Sequence, residues 1–389
     1  MDASIKTNNK FGGESMREEQ GEKLTLKDVA PLLRKLTYGE TLTAEETRKA
    51  FNVIGDEDTE SYYYLALTFG LMTRGPTVDE LYGVCLDRAD RVRKILINVN
   101  PEKIMDISGG GGGKISTFNV STTVAFIITA GGVYVAKQAA PAVTGFTGSR
   151  DVLSEIGVDI PFTNGNPNVV KDCLEKIGIA LYYYTAFSSE QFRNFLKWRD
   201  TIRRISLGYL TPWHIVSFVY SLVEIKNRVY GLFTDKYLRT LAELFHKFEY
   251  NRALVVHGID GIDEVSNVGP TKVCELRDDR ISEYTITPED LGVRKAKPEE
   301  IKAVSREGNI IDFLKVIYGV DKGAKRDLAA VNAGAGFYIM GKAKTLKEGT
   351  QLAISLLDAG SVAAKLEALV AFFRNQEKLE NWKRQGGVR

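Results

Sequence analysis

The sequence predicts an α/β protein: a small all-helical N-terminal domain followed by a large domain built on a mainly parallel central sheet. Three observations carry this. Between Thr25 and about Ile95 apolar residues recur only at helical spacing. After Asn100-Pro101 short β-branched runs alternate with helical segments, the pattern of a parallel sheet covered by helices. Where that alternation begins, five glycines, Gly109 to Gly113, sit between two apolar segments rather than between the polar flanks of a flexible linker.

Met1 to Lys23 is polar, with almost nothing to bury, and is expected to be a disordered tail. Thr25-Leu26-Lys27-Asp28 reads as a capping box, and Val29, Leu32, Leu33 and Leu36 follow on one helical face. Tyr38-Gly39-Glu40 stops that helix. Further helices are expected over 44–54, 61–72 and 77–95, so that residues 24–100 form the helical domain.

The glycine run organises the second domain. Lys103 to Asp106 reads as a strand, and Ser121 to Ile128 as a buried helix with a Ser/Thr start. Gly132 to Lys137 completes a β-α-β unit. Strand, glycine loop and helix N-terminus bring free backbone N–H groups and the helix dipole onto an anion, which points to phosphate. Neither a Walker loop nor a dinucleotide fingerprint is present. Later strands are expected at 180–184, 229–233 and 254–258, and helices at 188–204, 328–340 and 345–373. The segment 188–204 is basic and amphipathic.

Asp260-Gly261-Ile262-Asp263-Glu264 follows the strand Leu254–Gly258, where adjacent carboxylates suit Mg²⁺ or simply form an acidic turn. Lys137, at the strand end near the glycine loop, is either a point charge for phosphate or a snorkelling lysine. Ser121, Thr122, Thr144 and Ser149 lie near helix starts, as ligands or as caps. His214, His246 and His257 share no spacing with a nucleophile or metal ligand. The net charge of +2 gives no electrostatic case for nucleic acid. Cys85, Cys173 and Cys274 are far apart, as expected of buried thiols in a reducing cytoplasm. With no run long enough to span a membrane and no signal-type core, a cytoplasmic globular protein is expected.

Asp106-Ile107-Ser108-Gly109 through Phe118-Asn119-Val120-Ser121-Thr122 resembles the signature loop of anthranilate phosphoribosyltransferases. So do Val135-Ala136-Lys137 with Gly148-Ser149-Arg150-Asp151, the stretch Arg252 to Ser266, and Lys325-Arg326-Asp327 with Asn332-Ala333. The resemblance spans roughly residues 25–375. It implies a helical domain hinged to the α/β domain (101–187 and 213–389), with helices from about 188–212 joining the helical side. It implies phosphoribosyl pyrophosphate held by Gly109, Gly111, Gly112, Gly113, Lys114, Thr117, Asn119, Ser121, Thr122, Lys137 and Ser149. It also implies Mg²⁺ at Ser121, Asp263 and Glu264, and a homodimer. The reaction implied is displacement of pyrophosphate by an aromatic amine or ring nitrogen, with anthranilate of tryptophan biosynthesis as the default acceptor and no residue assigned as a proton donor, acceptor or nucleophile.

The departures are specific. The family's Gly-Thr-Gly-Gly-Asp is Gly109 to Gly113 here, so an aspartate is missing. Its Lys-His-Gly-Asn-Arg is Lys137-Gln138-Ala139-Ala140-Pro141, and its Gly-Pro-Leu-x-Asn-Pro is reduced to Gly208-Tyr209-Leu210-Thr211-Pro212. The acceptor side is therefore assigned to Gln138, Ala140, Thr144, Arg199 and Arg204, and the apolar wall is expected to favour a less polar acceptor over anthranilate held by the family's own contacts. Two other readings stand beside this one. Gly112-Gly113-Lys114-Ile115-Ser116 resembles the phosphate loop of nucleoside phosphorylases, against which the Asp263-Glu264 pair speaks. The basic segment 193–204 raises a non-catalytic nucleic-acid binder, against which the total charge speaks.

Overall fold

The segment after Pro101 forms an interior strand of a seven-stranded sheet, described here from a computed structural model covering residues 25–52, 60–141, 146–189, 193 and 211–388. The tail at 1–23, Thr144, Arg199 and Arg204, and nearly all of the basic helix expected at 188–204, lie outside the described residues.

Four helices come first: α1 (Leu26–Thr37), α2 (Ala44–Asn52), α3 (Glu60–Arg74) and α4 (Val78–Asp90). Capping boxes at Thr25 and Thr77 start α1 and α4, satisfying N–H groups that a helix start leaves open. Helix α4 stops at Asp90, short of the expected Ile95. Its continuation is taken by other backbone partners: Arg93 N–H donates to Phe187 O at 2.9 Å and Ile95 N–H to Leu222 O at 2.8 Å. Tertiary pairing outcompetes the helical pattern there.

The sheet uses β1 (Ile104–Gly109), β2 (Tyr134–Gln138), β3 (Ile179–Tyr182), β4 (Asn227–Gly231), β5 (Arg252–Gly258), β6 (Thr271–Arg277) and β7 (Arg280–Ile286), in the order β3-β2-β1-β4-β5-β6-β7. The first five are parallel, and β6 and β7 are antiparallel additions. Those two strands were absent from the expected set. Strand β7 is largely exposed and polar (Arg280, Ser282, Glu283), so it carries no buried-strand signal. Its hairpin turns on Asp278 and Asp279, both at positive φ, the conformation of a two-residue turn that matches strand twist.

Helix α5 (Val120–Ala130), buried along nearly its whole length, joins β1 to β2. Helices α6 (Ser149–Glu155) and α7 (Pro167–Ile177) precede β3, the short α8 (Pro212–Ile215) precedes β4, and α9 (Leu238–Lys247) joins β4 to β5. After the sheet come α10 (Pro298–Ile301), α11 (Arg306–Ile317), α12 (Ala324–Ile339), α13 (Leu346–Asp358), α14 (Ser361–Phe372) and α15 (Gln376–Gly386). The single helix expected over 345–373 is two, parted at Gly360, whose φ of +72° no helix allows. Among the described residues no helix is long and apolar enough to cross a membrane.

The topology fixes where a ligand binds. Strand β1 lies between β2, reached through α5, and β4, reached much later, so the connections leave β1 in opposite directions. Outside the carboxyl ends of β1 and β4 this leaves a crevice, the usual ligand position in such sheets.

Candidate active site at the sheet switch point

Gly109 ends β1 and Gly231 ends β4, side by side in register. The loop after β5 folds back between them. A Cβ on Gly109 would sit 2.4 Å from Asp263 Oδ2, and one on Gly231 would sit 1.6 Å from the Asp263 carbonyl oxygen. Only glycine at both strand ends lets Asp263 lie against the glycine loop. Gly111 N–H donates to Asp263 Oδ2 at 2.7 Å, Gly110 N–H to Gly231 O at 2.8 Å, and Lys114 N–H to Gly261 O at 2.8 Å. Gly111 and Gly112 both have positive φ, which a loop this tight demands.

A narrow cavity at this point is lined by Ser108, Gly109, Ser121, Gly231, Asp263, Glu264 and Asn332, among others. Thr117 Oγ1 reaches Glu264 Oε2 at 3.4 Å. Ser149 Oγ accepts from Ala140 N–H at 3.0 Å, so the α6 start is tied to the end of β2. The Thr122 hydroxyl is fully buried on the first turn of α5 with no hydrogen-bond partner among the described residues. Asp260, by contrast, accepts from Ser266 Oγ at 2.6 Å and shapes its own loop.

The electrostatics are those of an unbalanced site. Burial and the neighbouring Asp263 push the Glu264 carboxyl well above the usual range, in that order. Burial also raises Asp263, against the opposing Gly111 N–H. Lys137, 3% exposed, is held below the usual lysine range by burial, while Asp106, Glu264 and Asp263 act the other way. Two adjacent carboxylates that repel one another in a buried cleft fit a divalent cation. Among the described residues no three His, Cys, Asp or Glu side chains converge as a closed metal cage; a hard ion held by two carboxylates would be of the Mg²⁺ kind, which is usually bound by one or two carboxylates together with substrate phosphates.

Behind the site, Arg228 on β4 pairs with Asp106 on β1 at 3.2 Å, both buried, and Ser108 Oγ donates to Asp106 at 3.1 Å. Arg228 also donates to Phe218 O.

Several positioning residues carried no sequence signal of their own. Asn332 on α12 accepts from Val265 N–H at 2.9 Å and donates to Val265 O at 2.8 Å, fixing the residue after Glu264. Asn309 on α11 accepts from Asn119 N–H at 3.0 Å and donates to Thr147 Oγ1 at 2.7 Å. A buried asparagine near a site loop is the only hint, and partners 190 and 162 residues away are invisible from spacing. Asn309→Ala leaves the Asn119 N–H without its partner and is expected to cost about 1–3 kcal/mol in urea unfolding.

On the expected acceptor side, Gln138 is buried and already engaged: its Nε2 donates to Tyr220 O at 2.5 Å and its Oε1 accepts from Arg88 at 3.4 Å. Ala140 is partly exposed beside it.

Residues 101–363 match the model of a glycosyl transferase family, its a/b domain. The anthranilate phosphoribosyltransferase of Petrotoga mobilis is 33% identical over 340 residues, covering 87% of this chain and 95% of that protein. The chain belongs to the anthranilate phosphoribosyltransferase family. Another member, from Methylocella silvestris, is 35% identical over 342 residues, covering 88% of this chain and 94% of that protein. The crystal structure of anthranilate phosphoribosyltransferase from Thermus thermophilus superposes with a TM-score of 0.77 at 30% identity, covering 88% of this chain and 99% of that one. The Saccharomyces cerevisiae enzyme in complex with PRPP and Mg has the same fold, with a TM-score of 0.77 at 18% identity and coverage of 90% and 99%.

Proposed function

We propose that this protein transfers the phosphoribosyl group of phosphoribosyl pyrophosphate to the amine of anthranilate, with Mg²⁺ bound. The observation that carries the reading is the carboxylate loop seated against the glycine loop at the switch point, with Lys137 beside it. The family relationship supports anthranilate, the default acceptor the resemblance implies, over the less polar acceptor that the apolar wall suggests, and it favours neither phosphorolysis nor nucleic-acid binding.

The diphosphate lies on the loop from Gly109 to Lys114, with Thr117, Asn119, Ser121, Thr122, Lys137 and Ser149 around it. Thr122, whose buried hydroxyl has no partner among the described residues, donates to this ligand. Asp263 and Glu264 would hold Mg²⁺, with Ser121 near it; when bound, the ion neutralises charge that develops on the leaving pyrophosphate. In the reaction the anomeric C–O bond breaks with its electron pair going to the departing pyrophosphate, the amine nitrogen bonds to that carbon with its lone pair, and the proton the amine loses passes to pyrophosphate or water. Lys137 adds positive charge on the leaving-group side. Positioning the amine opposite the breaking bond is the chain's other task.

We assign residues 24–100 to a helical domain that closes on the α/β domain. Tyr38 and Phe69, 75% and 64% exposed on this helical side, suit a homodimer contact there. The three free, buried cysteines suit the cytoplasm.

Incubation with phosphoribosyl pyrophosphate, Mg²⁺ and anthranilate is expected to yield the N-linked phosphoribosyl product by mass spectrometry; absence of product would defeat the reading. Phosphoribosyl pyrophosphate at about a hundred times its dissociation constant is also expected to add about 2.7 kcal/mol of stability, and chelation to remove most of it. Differential scanning calorimetry checks both.

A further inference from the structure

Asparagine is among the residue types that start helices best, because its side-chain oxygen accepts an N–H of the first turn. Asn166 does this for α7, accepting from Asn168 N–H, and Thr77, Ser305 and Thr345 do it for α4, α11 and α13 from extended backbone. Asn119, the residue before α5, does not. Its ψ is 64° rather than extended, and its side chain makes no capping bond. The N–H groups of Ser121 and Thr122, which such a cap would occupy, have no hydrogen-bond partner among the described residues. The cause lies in two buried residues from elsewhere in the chain. Asn309 Oδ1 accepts from the Asn119 backbone N–H at 3.0 Å and from its Nδ2 at 3.1 Å. Thr147 Oγ1 accepts from Asn119 Nδ2 at 3.2 Å and from Asn309 Nδ2 at 2.7 Å. A backbone N–H only donates, so the Asn309 atom facing it is the oxygen, and the Asn119 atom facing that oxygen is the amide nitrogen. The orientation of both amides is forced.

We infer that Asn309 is a positioning residue that keeps the first turn of α5 uncapped, so that its N–H groups stay open for the phosphate groups of the ligand. This rests on the phosphoribosyl pyrophosphate site proposed above. An N-cap oxygen and a phosphate oxygen compete for the same N–H groups, and whichever is tethered nearby wins unless it is held away. Asn309 holds Asn119 away twice over, by its backbone N–H and by its side-chain amide. Thr122 marks this first turn as made for a ligand, because its hydroxyl is fully buried and has no partner among the described residues. The cavity between the glycine loop and the carboxylates reaches the same turn at Val120 and Ser121. Released from Asn309, Asn119 takes up the extended backbone of the other caps, and its oxygen closes the helix start against the ligand.

The bland alternative is that Asn309 only braces the loop, and it predicts a looser first turn once the brace is gone. The two differ in sign. In the ligand-free full chain carrying Asn309→Ala, amide hydrogen exchange at Ser121 and Thr122 is expected to slow about 5- to 30-fold, the worth of an N-cap. Because the cap must open before the ligand binds, calorimetric affinity for phosphoribosyl pyrophosphate with Mg²⁺ should fall by about the same 5- to 30-fold factor. Asn309→Leu, which fills the space without a polar group, serves if the alanine variant does not fold. Asn309→Asp keeps an oxygen facing both donors of Asn119, so its exchange at Ser121 and Thr122 should match wild type. Slower exchange together with weaker binding supports the role. Exchange that is unchanged or faster, affinity that holds while exchange slows, or the same slowing in Asn309→Asp would overturn it. If the wild-type protein does not bind phosphoribosyl pyrophosphate, the reading of the site fails, and exchange alone decides Asn309: slowing confined to the alanine and leucine variants keeps the assignment, and any other result ends it.

Discussion

Gly231→Ala is expected to be the most damaging single methyl group that can be added at this site. The new Cβ would lie 1.6 Å from the Asp263 carbonyl oxygen, 2.4 Å from its carbonyl carbon and 3.1 Å from the Glu264 nitrogen. All three are backbone atoms, so no side-chain rotation relieves the clash. Either β4 or the loop after β5 must move, and Gly231 is in register with Gly109 on β1 and Val256 on β5. Overpacking a well-filled position costs roughly 1–3 kcal/mol, and a backbone-on-backbone contact belongs at or beyond the top of that range. Because the displaced element carries Asp263 and Glu264, Mg²⁺-dependent binding of phosphoribosyl pyrophosphate should be lost along with stability. Gly111→Ala is the control: nothing lies within 4 Å of its added Cβ, and only the φ of +73° is unfavourable, so about 1–2 kcal/mol is expected. Urea unfolding and calorimetric binding on both variants check the contrast. Equal effects would mean that close packing against Asp263 is not what the strand-end glycine provides.

Glu264→Gln should separate stability from function. Burial and the charge of Asp263 raise the Glu264 carboxyl well above its ordinary range. The folded protein therefore holds a proton that the unfolded chain has released. Between the ordinary glutamate range and the raised one, stability falls as pH rises, because the folded state binds more protons there. The contribution of this group is full below the ordinary range and is lost as pH climbs through the raised one. Glutamine removes the titration, so the ligand-free variant should melt higher than wild type at about pH 7–8, with a flatter pH profile. The same substitution removes a charged ligand, and Mg²⁺-dependent affinity for phosphoribosyl pyrophosphate should drop about 10- to 100-fold. In the wild type that affinity should climb with pH until the carboxyl is ionised. A variant that melts lower and binds normally would show that Glu264 is only part of an acidic turn.

Lys114 sits between the two effects. Its side chain crosses Gly261, whose added Cβ would meet Lys114 Cδ at 2.7 Å. The backbone of the glycine loop and that of the carboxylate loop are thus joined at both ends, at Gly111 to Asp263 and at Lys114 to Gly261. Displacing either loop displaces the other, which is why a stability defect at Gly231 and a binding defect are expected together.

The sequence by itself determined the helical start, the β-α-β unit around the glycine run and the carboxylates after β5. Each of these is local: a capping box, a period of apolar residues, or adjacent charges declares itself within a short window of the chain. A continuous apolar run such as Leu254–Val256 is legible because parallel strands are buried on both faces. Strand β7 was not, because its exposed face gives no hydrophobic pattern. Neither the end of α4 at Asp90 nor the break at Gly360 follows from periodicity; distant backbone partners decide the first and a single left-handed residue the second. The same division runs through the site. Gly109 and Asp263 are each visible in the sequence, but that one must be glycine because the other's carboxylate fills its Cβ position is a fact of packing across 154 residues of chain, from positions 109 and 263. Asn309, Asn332 and Arg88 meet partners far from them in sequence, and only folding brings them together. Local chemistry selects the residue types; the three-dimensional contacts decide which of them meet.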